Sequence, residues 1–133
     1  NAGAPLVDSH TARHTASRAS NQKIPVLHAV VSCKWTLRSD RAQNARSEAL
    51  NLVRNRKGRL PHVVVVTAEP TPSRLSSLAL GTGDIDCVYH VALPELQSAM
   101  RKHGNDDNVA ALDAMVQGRR LKDVSDLPLD LTI

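Results

Sequence analysis

The 133-residue chain has no phenylalanine, one tryptophan (Trp35) and one tyrosine (Tyr89). A core must therefore be built from Val, Leu, Ile and Ala. The shortage of rings also argues against a single-strand binder that stacks bases on aromatic platforms. Two cysteines, Cys33 and Cys87, are too few for a disulfide framework, and a reducing cytoplasm is the simpler expectation. No apolar run approaches the ~18 residues that would span a bilayer. No charged, apolar and small-residue leader is visible at the start of the chain. What is present suffices for a globular fold: apolar residues make up 41%, and the length fits one domain or a piece of one.

Charge is unevenly spread. Residues 1–60 hold 11 of the 17 basic side chains and only Asp8, Asp40 and Glu48 as acids, a net of +8. Residues 61–133 hold 6 basic and 10 acidic side chains, a net of −4, which gives the overall +4. A basic half joined to an acidic half suggests a polyanionic partner for the first half; a solvated face with chance asymmetry is the plainer alternative.

Residues 1–23, rich in Ser, Thr, Ala and Asn, read as an irregular surface segment. His10 and His14 have helical metal-ligand spacing but no third ligand nearby, which favours a plain loop. Residues 24–35 are nearly continuously apolar, as in a buried central strand. Alternation puts Val30, Ser32 and Lys34 on one face and Val31, Cys33 and Trp35 on the other. Residues 39–57 carry an apolar stripe of Ala42, Ala45, Ala49, Leu52 and Val53 at helical spacing. Ser39 or Asp40 can cap that helix, Gly58 can close it, and Glu48 lies on the shoulder of the stripe. A second buried strand is expected over 61–69, a helix over 72–80, a short strand over 87–91, and helices over 93–102 and 108–117. This alternation predicts an α/β fold with right-handed crossovers and at least partly parallel pairing, taken as a central mixed sheet flanked by helices. No internal repeat is present.

Three features fall close together: Ser32-Cys33-Lys34 ending a strand, Arg38-Ser39-Asp40-Arg41 opening a helix, and Glu48 within it. Cations at a helix N-terminus are disfavoured by ~0.3–1 kcal/mol each, so two arginines there need a reason. A DNA duplex supplies one: arginine donates bidentately to guanine O6 and N7, and aspartate accepts from cytosine N4. A surface ion-pair cluster is the alternative. Lys34 could stabilise charge developing on a phosphoryl group, and Glu48 with the backbone carbonyl of Cys33 offers hard oxygen ligands for Mg²⁺.

Val-Ser-Cys-Lys followed by Glu48, together with Arg38-Ser39-Asp40-Arg41, resembles the variant nuclease motif of CCGG-family type II restriction endonucleases, within the PD-(D/E)xK superfamily. The whole chain is similar to the C-terminal half of such an enzyme. The superfamily's acid two residues before the lysine is replaced here by Ser32, with the acid relocated to Glu48 as in the CCGG subgroup. The resemblance implies a restriction-endonuclease-like core and Mg²⁺-dependent cutting of double-stranded DNA at a CCGG-containing palindrome, leaving 5′ overhangs. It implies a dimer or tetramer in a bacterial cytoplasm. By position, Lys34, Glu48 and Ser32 are catalytic, Cys33 (through its carbonyl) and Glu48 hold metal, and Arg38, Ser39, Asp40 and Arg41 read bases. The family's first metal-binding aspartate, in a Pro-Asp pair upstream of the lysine, has no counterpart; Asp8 lacks the preceding proline. The chain is therefore expected to lack an N-terminal part of the same enzyme.

Two other functions compete. One is a DNA-binding module without chemistry. The other is a thiol hydrolase using Cys33 with His28 or His62, which would need a thiol beside a base. Glu69, ending the second strand, is either a further metal ligand or a solvated acid. Asp84 and Asp86 flank a Gly turn and read as turn and strand-start residues, and Met100 and Met115 as core.

Overall fold

The computed structural model describes residues 8–15, 18–21, 25–55, 59–81 and 83–133, with the backbone alone at Ser39 and Arg41. The described residues before position 22 form bends and turns. Asp8 accepts bonds from the Thr11 hydroxyl and from the amides of His10 and Thr11.

Four strands and five α-helices follow: β1 (Ala29–Lys34), α1 (Ser39–Asn55), β2 (His62–Thr67), α2 (Pro72–Ala79), β3 (Cys87–His90), α3 (Leu93–His103), α4 (Asp106–Gln117), β4 (Leu121–Asp123) and α5 (Leu127–Asp130) among the described residues. The sheet order is β1-β2-β3-β4 and all three pairings are parallel, where a mixed sheet was expected. Each pair of neighbours is joined through at least one helix, and such a connection returns the chain to the same end of the sheet and favours parallel pairing.

Local chemistry sets the helix ends. Pro72 opens α2, where its fixed φ and missing N–H cost nothing. The Asn105 side chain accepts from the Asn108 amide at 2.8 Å, so α4 begins at Asp106 rather than at Asn108. Ser39 and Asp40 lie inside the first turn of α1 instead of preceding it. Arg56, Lys57 and Gly58, expected to close that helix, lie outside the described residues, as does Ile24 at the expected start of the first strand.

The sheet is covered unequally. Val63, Val65, Val88 and Leu121 share one face and form a single buried cluster with Ala42, Ala45 and Ala49 of α1 and with apolar residues of α2, α3 and α4. Met115 is fully buried there, and Met100 packs against the cluster. On the opposite face Val64, Cys87 and Tyr89 form a smaller cluster with Val66 and Leu127. Tyr89 donates to Asp130 at 2.7 Å, and Lys122 also bonds that carboxylate. Burial and this bond push the Tyr89 phenol well up, so it stays protonated. This second face is bare along β1: Val31 is 42% exposed and Trp35 75%. The first strand is thus half-buried rather than fully buried, because the described chain covers only one of its sides.

Candidate functional site

In an open parallel sheet, ligands bind beyond the carboxyl ends of the strands. Here those ends are level: Lys34 is in register with Thr67, Thr67 with His90, and His90 with Asp123. Parallel partners share a face, so Val30, Ser32 and Lys34 stand on the side of Val63, Val65 and Thr67, which is the side that α1 covers. Ser32 and Lys34 are accordingly half-buried, while Val31 and Cys33 face the bare side and are exposed.

Backbone groups along a strand point alternately to its two edges. The His62 amide donates to the His28 carbonyl at 2.8 Å. By alternation the carbonyls of Val30 and Ser32 also point toward β2. The carbonyl of Cys33 then faces the edge of β1 that no described strand covers.

Glu48 is exposed on α1, between the buried Ala45 and Ala49. It lies nine residues beyond Ser39, about 13 Å along the helix at ~1.5 Å per residue. Neither Lys34 nor Glu48 has a side-chain hydrogen bond or ion pair among the described residues. Arg38 and Asp40 are exposed at the start of α1, where the Arg38 carbonyl accepts the Ala42 amide at 3.0 Å. The side chains of Ser39 and Arg41 lie outside the described residues. Arg38 also lines an open groove with Leu37, Ala42, Ser73, Arg74 and Ser77, between the first turns of α1 and α2.

Glu69 is neither solvated nor open to a metal. Its carboxylate is fully buried, with Oε2 accepting from the Leu37 amide at 2.7 Å and Oε1 from the Thr71 amide at 3.1 Å. Arg74 stands 3.5 Å from Oε2. Burial alone would raise its pKa, but these donors outweigh it and hold the carboxyl below its ordinary value. Next to it, buried His90 accepts the Ala92 amide at Nδ1 (3.1 Å), so its proton sits on Nε2, which meets the Glu69 carbonyl at 3.2 Å. Burial lowers the His90 pKa despite the nearby Asp123 and Glu69 carboxylates. The sequence marks Glu69 as a strand-end acid before Pro70 but gives no sign of its link to His90.

The thiol alternative fails on distance. His28 and His62 meet edge to face, with ring centroids 5.2 Å apart, at the amino-terminal end of the sheet. Cys33 is paired with Val66, four residues farther along, about 13 Å at ~3.3 Å per residue. Cys87 is buried, and burial pushes its thiol up, away from thiolate. His10 and His14 are exposed in turns. Among the described residues no three His, Cys, Asp or Glu side chains converge as a metal site. Asp86 behaves as a loop residue, accepting the Val63 amide at 2.7 Å. No helix is long and apolar enough to cross a membrane among the described residues.

The family described as NgoMIV restriction enzyme matches residues 1–133. A type II restriction enzyme, NgoMIV of Neisseria gonorrhoeae, is 65% identical over 128 residues. That alignment covers 96% of this chain and 45% of the relative, so the chain spans about half the length of the curated relative it matches.

Proposed function

The chain belongs to the NgoMIV restriction enzyme family, and on that premise we propose that it is the C-terminal part of a type II restriction endonuclease. The enzyme hydrolyses double-stranded DNA with Mg²⁺ at a CCGG-containing palindrome and leaves 5′ overhangs. One observation carries the reading: a single strand-to-helix connection holds both sets of groups. Lys34 ends β1 on the face that α1 covers, α1 carries Glu48, and exposed Arg38 and Asp40 stand just before and within its first turn.

Lys34 is the cation that stabilises charge developing on the scissile phosphate and orients the attacking water. Ser32 shares its face and stands where the superfamily carries an acid. Arg38 and Arg41 donate to guanines, Asp40 accepts from cytosine, and Ser39 completes the reading segment. The donors on this chain suit Mg²⁺, which takes hard oxygens, commonly one or two carboxylates beside retained waters. Glu48 and the edge-facing Cys33 carbonyl would hold it, with one more acid from the rest of the enzyme. Held there, Mg²⁺ would supply Lewis-acid polarisation of the phosphoryl group and make a nearby water more acidic.

The remaining N-terminal segment is also the occupant that fits the bare face of β1. Parallel sheets are almost always covered on both faces, and Val31, Cys33 and Trp35 are uncovered here. Two copies in a dimer, or pairs of them in a tetramer, would cut one DNA strand each, in the bacterial cytoplasm.

The test uses the full-length enzyme. Cutting of a CCGG duplex should require Mg²⁺ and stop in Ca²⁺, whose looser coordination suits phosphoryl chemistry poorly. Lys34→Ala and Glu48→Ala should each slow cutting by at least about a hundredfold while binding in Ca²⁺ persists. Robust cutting by Lys34→Ala would remove the reading. DNA binding by the parent with no cutting in Mg²⁺ would leave a DNA-binding module without catalysis.

A further inference from the structure

We propose that Glu69 is a positioning residue, a buried latch that fixes the turn between β1 and α1 and so holds Arg38 and Asp40 in place to read DNA. The proposal rests on the base-reading role given above to that turn.

The exits of β1 and β2 are joined step by step. The Trp35 carbonyl accepts the Ala68 amide at 3.2 Å and the Thr67 hydroxyl at 3.4 Å. Two residues farther on, the Leu37 amide donates to the Glu69 carboxylate at 2.7 Å. Leu37 is itself 2% exposed, so both its side chain and its amide are committed. The next residue is Arg38, whose carbonyl starts the hydrogen-bond ladder of α1. The place of Arg38 above the sheet is therefore set through Leu37.

Glu69 is well built for this task. Its other oxygen takes the Thr71 amide, its own amide donates to the Thr67 hydroxyl at 3.1 Å, and its carbonyl meets His90 Nε2. A buried carboxylate is costly unless its lone pairs are filled, and once filled it resists movement because every partner must be lost together. Arg74 adds little to the hold, since its side chain is half-exposed. A bidentate arginine–guanine contact tolerates only small displacements, whereas phosphate contacts are forgiving. Loosening the latch should therefore harm base discrimination before it harms general DNA affinity.

Two measurements on the full-length enzyme decide the matter. Hydrogen exchange reads the latch without DNA. In the parent, the Leu37 amide should exchange at least about tenfold slower than an unprotected amide, although it lies in a turn. In Glu69→Gln, which keeps an acceptor but not the charge, residues 36–42 should exchange about tenfold faster while 62–67 are unchanged. An unprotected Leu37 amide in the parent, or no change at 36–42 in the variant, overturns the proposal. The parent arm needs no variant to fold.

Binding at fixed salt supplies the functional arm. Glu69→Gln should lose at least about tenfold in its preference for a CCGG duplex over a scrambled one, with scrambled binding unchanged. An undiminished preference in a folded Glu69→Gln overturns the latch. A parent enzyme with no preference overturns the base-reading role instead, and with it the link from latch to reading.

Discussion

His90 and Glu69 show how much at the carboxyl edge of the sheet depends on single buried groups. His90 is kept neutral by burial, with Nδ1 committed to accepting the Ala92 amide. An unfolded chain takes up a proton on this side chain near pH 6.5 and the folded one resists it, so the unfolded state binds more protons below that value. The stability contributed by neutral His90 is complete above about pH 6.5 and is lost as pH falls from there toward the folded pKa. Glu69, Asp123 and Asp130 are depressed groups, and their contribution survives until pH falls below their ordinary values of 4.5 and 3.8. Urea midpoints should therefore begin to decline near pH 6.5, well above the carboxylate range. His90→Gln, which can keep both hydrogen bonds, should flatten the profile between pH 5 and 7. A parent profile already flat across that interval would contradict the account. None of this was legible in the sequence. Glu69 reads as an ordinary strand-end acid until the turn after β1 folds over it, and no local pattern announces that a residue 32 positions away will cap it.

The elements were more legible than their surroundings. An alanine stripe at helical spacing marked α1, valine runs marked the strands, and Pro72 marked the start of α2. β4 was missed because three residues, of which only Leu121 is buried, carry no readable period. The strand–helix alternation announced at least partly parallel pairing; the mixed sheet was the excess, since all three described pairings are parallel. The small size of the α1 stripe is itself meaningful, since Ala42, Ala45 and Ala49 are buried in the cluster under the helix. Ala49→Leu would overfill that space and should destabilise by ~1–3 kcal/mol, as core overpacking does. Ser47→Leu, on the exposed side of the same helix, should stay within about 0.5 kcal/mol. Equal urea midpoints for the two variants would mean that α1 does not sit tightly on the sheet.

On the scale of the molecule, the basic first half and the acidic second half meet in one sheet. The basic half supplies β1, α1 and the turn between them, which carry Lys34, Arg38, Arg41 and Glu48. The chain spans 45% of its relative, and the bare side of β1 is consistent with a fold completed by further polypeptide. The family was readable from a few residues because Val-Ser-Cys-Lys and Arg-Ser-Asp-Arg stand at a characteristic spacing. What could not be read was the packing that orders them. The central claim is that the connection between β1 and α1 reads the DNA that the same connection cuts. Asp40 tests it most directly, because an acid beside DNA is repulsive unless it accepts from a base. Binding curves should be taken in Ca²⁺ at one fixed salt concentration for parent and Asp40→Ala full-length enzyme, on a CCGG duplex and a scrambled one. Asp40→Ala should lose the CCGG preference by the ~1–3 kcal/mol of a base-specific pair, with scrambled binding unchanged or slightly tighter. Equal strengthening on both duplexes, with the preference intact, would contradict it.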